Sequence, residues 1–216
     1  MSDRAPYCKP AETFDIEPYM DRSREDGRIN AHAYLPMSRS HGPGHRAVLW
    51  VQGCTKRCPG CTNQLMLDAA KTGRIVEPGS LADRILEAKH SVLEVEGLTI
   101  QGGEPMLQAA NLATLVEGLK AKDPKFNVLV FSGYTLAELQ SFNNPGIDRL
   151  LSVIDVLIDG VFLKDQFDNE RIAGSTNQQI HHLGAKLLEG RSFAREGSET
   201  IVHPAPQETT RSGINR

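Results

Sequence analysis

The sequence predicts an α/β fold with mostly parallel strands, and three observations carry that prediction. Four short runs rich in Val, Ile and Leu, at residues 47–52, 98–101, 128–131 and 153–159, have the length and composition of strands buried on both faces. Helical patterns at 3.6-residue spacing fall between them, giving the alternation of right-handed βαβ units. No internal repeat or low-complexity tract competes with that order.

The elements follow along the chain. Residues 1–28, rich in Asp, Glu, Arg and Pro, read as a polar N-terminal extension, mobile or loosely docked. After the strand at 47–52, Ser80 is placed to cap a helix in which Leu81, Ile85 and Leu86 share a face. The strand at 98–101 leads to a second helix marked by Leu112, Leu115, Val116 and Leu119. The strand at 128–131 precedes a helix opening at Thr135, where Thr-Leu-Ala-Glu forms a capping box with Glu138. Beyond the strand at 153–159, a last helix is expected over 175–188, with Ile180, Leu183 and Leu187 inward and Gly184 as its weak point. Residues 191–216 read as a flexible polar tail, which leaves one domain over 29–190. A chain of 216 residues suits one well-built core and not two.

Composition excludes several classes of function. The 24 basic and 27 acidic residues give a net charge of −3, and no dense Lys/Arg run forms a phosphate-tracking stripe, so no nucleic-acid partner is expected. No apolar stretch approaches the roughly 20 residues that span a bilayer, and the first ten residues lack the apolar core of a signal peptide. No membrane association is expected, and the compartment is expected to be the cytoplasm. There, clustered thiols bind metal or do chemistry, and three of the four cysteines fall within eight residues.

In parallel α/β folds the ligand sits beyond the carboxyl ends of the strands, so the strand exits are where chemistry is sought. All four exits carry unusual residues: Gly53-Cys54-Thr-Lys-Arg-Cys58-Pro-Gly-Cys61, then Gly102-Gly103-Glu104-Pro105, then Ser132-Gly133-Tyr134-Thr135, then Asp159-Gly160. The cysteine spacing lets one tight loop present three thiolates to one small object, zinc or an iron–sulfur cube. A closed zinc site wants a fourth protein ligand, for which His41 or His45 is available. A four-iron cube on three cysteines leaves one iron open to a small molecule. The glycine pair alone means only tight turning. Beside the cysteine loop, however, exposed backbone and Glu104 can receive an ammonium group, an approach that side chains at 102 or 103 obstruct.

Other residues invite plainer readings. Asp155 and Asp159 share a strand face, with Asp159 nearer the ligand rim and Asp155 a solvated or sheet-end carboxylate. His181 and His182, adjacent on the expected late helix, point in different directions and read as surface residues. Cys8 reads as a free thiol in the polar extension.

The CxxxCxxC loop followed by Gly-Gly-Glu-Pro resembles the radical S-adenosylmethionine (SAM) superfamily. Within it, Gly42-Pro43-Gly44-His45-Arg46, Val51-Gln52-Gly53-Cys54, Cys58-Pro59-Gly60-Cys61-Thr62-Asn63, Ser132-Gly133-Tyr134-Thr135, Asp155-Val156-Leu157-Ile158-Asp159-Gly160 and Gly174-Ser175-Thr176-Asn177-Gln178 resemble the anaerobic ribonucleotide reductase activating proteins. The likeness covers about residues 29–190.

The resemblance implies an incomplete (β/α) barrel, open on one side to a protein substrate. It implies a [4Fe–4S] cluster on Cys54, Cys58 and Cys61, with SAM on the open iron. Gly53, Gly102, Gly103, Glu104, Ser132, Tyr134 and Asp159 are the expected cofactor-binding residues, with Tyr134 near the adenine or packed on the next helix. An electron from a flavodoxin- or ferredoxin-type donor then splits SAM into methionine and a 5′-deoxyadenosyl radical, which takes a hydrogen atom from a glycine of a reductase. Two residues depart from the common pattern: Gly60 stands where many superfamily members carry an aromatic, and His41 where the group commonly carries an acid. A radical SAM maturase acting on a peptide or other protein is the alternative enzyme, and a zinc-binding module the alternative of another class.

Overall fold

The structure is a computed structural model and describes residues 24–91, 93–184 and 187–194. Cys8 and most of both polar segments lie outside the described residues. The elements run β1 (Ile29–Ser38), β2 (Arg46–Val51), β3 (Arg74–Val76), α1 (Pro78–Lys89), β4 (Gly97–Gly102), α2 (Ala109–Lys122), β5 (Asn127–Phe131), α3 (Leu136–Ser141), α4 (Pro145–Val153), β6 (Val156–Asp159) and β7 (Gln179–His182). One seven-stranded sheet has the order β3-β1-β2-β4-β5-β6-β7. The pairs β2–β4, β4–β5 and β5–β6 are parallel, while β1 and β7 join antiparallel. The sheet is open, with β3 and β7 at its two ends.

Continuous apolar strands are explained by burial on both faces. On one face Leu49, Val51, Leu98, Ile100, Val128, Val130 and Leu157 meet the helices through Leu81, Ile85, Leu112, Leu115, Ile147 and Leu150. On the other, Leu129, Val156 and Ile158 pack with Ile172 and Ala173, while Val48 and Trp50 pack with Met66. Each such side chain contributes about 1.5–3 kcal/mol when fully buried.

Several expectations are corrected. The cap of α1 is Glu77 with Pro78 behind it, and Ser80 lies inside the first turn. Pro is suited to that first turn because its missing N–H has no helical partner there. The strand expected from 153 begins at Val156, because Val153 ends α4, a helix capped by Asn144 Oδ1 accepting from Gly146 N (2.9 Å) and Ile147 N (3.1 Å). The largest correction concerns residues 175–188. Their core is strand β7, with Ile180 paired to Ile158, and Gly184 lies where a Cβ would come within 2.8 Å of the Ile154 carbonyl oxygen. The three-to-four spacing of Ile180, Leu183 and Leu187 imitates a helix, but the open edge of β6 takes up those backbone groups instead. At the ends of the described chain, Asn111 Nδ2 donates to the Arg28 carbonyl (2.8 Å) and Ile172 N to that of Phe193 (3.0 Å), so the inner ends of both polar segments are docked.

Candidate active site

All four exits of the parallel strands open into one cavity of about 480 Å³, lined by Cys54, Cys58 and Cys61, by Gly102, Gly103 and Glu104, by Ser132 and Gly133, and by Gly160. The cysteine loop is fixed from its first residue: Gly53 N donates to Met66 O (2.8 Å) and Cys54 N to Leu67 O (3.2 Å). Its turn is completed by Cys61 N donating to Cys58 O (3.1 Å), with Arg57 and Gly60 both at positive φ. Cys54 is buried, and Cys58 and Cys61 are half-buried. Burial, and after it the nearby Glu104, pushes the Cys54 thiol up to about 12. A lone thiolate is disfavoured at such a place, whereas a ligand whose charge is offset by bound iron is suited to it.

The glycine pair has a closer reason than ligand approach. A Cβ at Gly103 would lie 2.1 Å from the Gly53 carbonyl oxygen, and one at Gly102 (φ +113°) 2.7 Å from Val51 N. The exit of β4 is therefore pressed against the root of the cysteine loop, and Glu104 N donates to Gly53 O at 2.7 Å. The Glu104 carboxylate, fully buried, accepts from Met106 N (3.0 Å), Ser132 Oγ (3.0 Å) and Gly133 N (2.8 Å). Burial raises its pKa, and those hydrogen bonds oppose the rise. A carboxylate has about four acceptor sites, so one is left toward the cavity for an ammonium.

Ser132 lines the cavity and donates to Glu104, but three other expected cofactor residues, Gly53, Tyr134 and Asp159, do not line it. Tyr134 is absent from the cavity lining. It packs edge-on to Phe142, shares a hydrogen bond with Thr55 Oγ1 (3.1 Å) and carries the Lys56 ammonium 3.8 Å above its ring. Of the two readings for this ring, the structure takes packing against the following helical segment. Asp159 accepts from Leu136 N (2.6 Å) at the start of α3 and from Gln179 N (3.3 Å) in β7, so it ties elements together behind the rim. Asp155 is not solvated: it is buried, accepts from Val128 N (2.7 Å) and pairs with Lys120 (2.9 Å). His181 lies on a strand beside Asp159 Oδ2 (2.9 Å), off the angle a hydrogen bond requires.

Sequence reasoning missed the residues on the open face of the sheet. Trp50 and Gln101, which face each other in the β2–β4 register, line the cavity together with Phe131, Phe162 and Phe167. The signal available was Gln101, a polar residue at the end of an apolar run. His41 lines the same cavity, edge-on to Trp50 (5.4 Å), with Nδ1 2.7 Å from Ser38 Oγ. Its loop is anchored from below by the fully buried Arg46, which donates to Thr99 Oγ1 (2.7 Å) and, across Gly97, to Asn127 Oδ1 (2.6 Å), while Thr99 donates to the His41 carbonyl (2.7 Å). His45 Nδ1 instead meets the Leu93 carbonyl (3.1 Å). Three thiols around one cavity fit the larger iron–sulfur cube.

Residues 40–181 match the family described as the 4Fe-4S single cluster domain, which places the chain among single-cluster iron–sulfur proteins. Three relatives are each named anaerobic ribonucleoside-triphosphate reductase-activating protein. That of Vibrio cholerae is 37% identical over 72% of this chain and 99% of its own length, that of Haemophilus influenzae 34% over 72% and 99%, and that of Escherichia coli K12 31% over 72% and 99%. The chain belongs to this family of activating proteins. Among solved structures, QueE from Escherichia coli matches 50% of this chain and 53% of its own at 18% identity, with a TM-score of 0.36. Among the described residues no helix is long and apolar enough to cross a membrane.

Proposed function

We propose that this chain is a radical SAM activase that generates a glycyl radical on an anaerobic ribonucleotide reductase. The observation that carries the reading is the opening of Cys54, Cys58 and Cys61 into the same cavity as Gly102, Gly103 and Glu104. When bound, a [4Fe–4S] cluster and SAM supply the chemistry there: a one-electron cleavage to methionine and a 5′-deoxyadenosyl radical that takes hydrogen from a glycine of the reductase.

The chain's own residues hold and orient. Cys54, Cys58 and Cys61 would hold the cluster, which with three protein ligands would stay open to SAM. Glu104, fixed by three hydrogen-bond donors, would offer the amino group of SAM an acceptor already in position. Gly53 and Gly103 bring the cysteine loop and the SAM-facing backbone together. Trp50 and Phe131 keep water from the interior. The open sheet, with helices on one face and the cavity on the other, supports an incomplete (β/α) barrel as its architecture, and residues 29–190 as the working unit. A flavodoxin- or ferredoxin-type protein is the proposed electron donor, and the cytoplasm the proposed compartment.

Reduced, reconstituted protein mixed with SAM and the anaerobic reductase of the same organism is expected to give the glycyl-radical doublet by electron paramagnetic resonance, with 5′-deoxyadenosine alongside. SAM cleavage without that doublet, and with modification of a peptide, supports the maturase alternative.

A further inference from the structure

Among the described residues, the large hydrophobic side chains left exposed are Leu65, at 70%, and Phe167, at 55%. Their positions are related. Leu65 lies in the single turn Gln64–Met66 that follows the cysteine loop; Met66 is buried against Trp50 and Val48, and Thr62, Asn63 and Leu67 line the cavity. Phe167 follows β6, lines the same cavity and packs edge-on to Phe162 at 6.4 Å. The exits of β2 and β6 are separated in the sheet by β4 and β5. Beyond the sheet the two exits approach each other, since a Cβ at Gly60 would lie 2.9 Å from the Lys164 side chain, so Leu65 and Phe167 stand on two loops that border one opening.

A single exposed apolar side chain is ordinary, but two on loops that border the same cavity offer a partner apolar area to bury at its mouth. The surrounding surface is polar, with Thr62, Gln64, Gln166 and Asn169 exposed, and Lys164 and Asp165 bring both signs of charge. Apolar anchors inside a polar rim of mixed charge match a protein surface. A nucleic acid or an anionic membrane would instead call for a basic rim.

We propose that Leu65 and Phe167 are the anchors on which the protein substrate docks, a folded chain that presents a glycine-bearing loop to the cavity between them. This rests on the activase reading, in which the reacting glycine belongs to a protein too large to enter the cavity. Such a substrate must sit on the rim while one loop descends, and among the described residues these two are the large apolar side chains most exposed there.

The test uses the full chain, reconstituted anaerobically, with Leu65→Asp and Phe167→Ser. With the reductase limiting, glycyl-radical formation in each variant is expected to fall about tenfold or more, as for loss of one interfacial hot spot, and to recover as reductase concentration rises. Leu65→Asp is expected to keep wild-type iron content and wild-type SAM cleavage in the absence of reductase. Phe167→Ser should lower the ratio of glycyl radical to 5′-deoxyadenosine. Wild-type concentration dependence in Leu65→Asp, or a loss that persists at saturating reductase, overturns the proposal. So does a change of oligomeric state in sedimentation with activation per chain retained, which assigns the pair to contact between copies of this chain. Failure of the activase reading is distinguishable, since then the wild-type protein gives no glycyl radical at any reductase concentration.

Discussion

Glu104 and Gly103 show how much can depend on adjacent residues. The Glu104 carboxylate accepts from the exits of two strands at once, through Met106 N and through Ser132 Oγ and Gly133 N. Glu104→Gln keeps the size but turns an NH2 group onto one of those donors, which costs about 1–3 kcal/mol for an unsatisfied buried group. Chemical denaturation is expected to show that loss, and SAM affinity is expected to fall with the lost charge; a variant of unchanged stability would contradict the network. Gly103→Ala places its Cβ against the Gly53 carbonyl oxygen, 2.1 Å away, so the cysteine loop must shift. Its expected result is poor cluster incorporation by iron analysis, and not merely weaker SAM binding. That the cysteines and Gly102 to Glu104 share one cavity was legible in the sequence, because residue type and spacing at the strand exits mark them. The roles of Tyr134 and Asp159 were not, since they depend on which way each side chain turns. Asp159→Ala should therefore destabilise the fold by about 1–3 kcal/mol in denaturant, through the lost bonds to Leu136 N and Gln179 N, while SAM affinity stays within about twofold.

At the scale of elements, the cysteine loop is clamped to the start of α3. Thr55 bonds Tyr134, and Lys56 lies over the Tyr134 ring while its Nζ stands 3.6 Å from Glu138 Oε1. Glu138 also closes the capping box with Thr135, so the helix start and the loop share one carboxylate. Lys56 is thus a fixed cation inside the three-cysteine loop, and cluster potentials respond to net charge nearby. Lys56→Met is expected to retain iron but to shift the midpoint potential to more negative values; an unchanged potential would show that the ammonium is not sensed. The capping box itself was readable, because its signal is two residue types three apart. Strand β1 was not. Pro36 argues against a strand, yet it sits at the register shift between Leu35 and Ser38, beyond the short pairing of β1 with β3 over Ile29–Ala31. The late segment failed for the opposite reason: its apolar spacing suits a helix, and only the free edge of β6 decides for β7.

For the whole molecule, the α/β order and the end of the sheet that bears the site follow from alternating apolar runs and special exits. The antiparallel strands that extend the sheet, and the open face with Trp50, Gln101 and Phe131, come from register, which one sequence does not display. Helices cover one face, and the other is left to a cavity that collects residues from all four parallel-strand exits. That convergence is what supports the proposal of a cluster on the three cysteines with a place for SAM beside it. Iron analysis after anaerobic reconstitution tests this most directly, combined with substitution of each cysteine in turn. The expected result is about four irons per chain, as a [4Fe–4S] cluster requires, with the cluster absorbance lost in Cys54→Ala, Cys58→Ala and Cys61→Ala and kept in Cys8→Ala. Stoichiometric zinc with little iron, or a cluster that survives any one of the three substitutions, would contradict it.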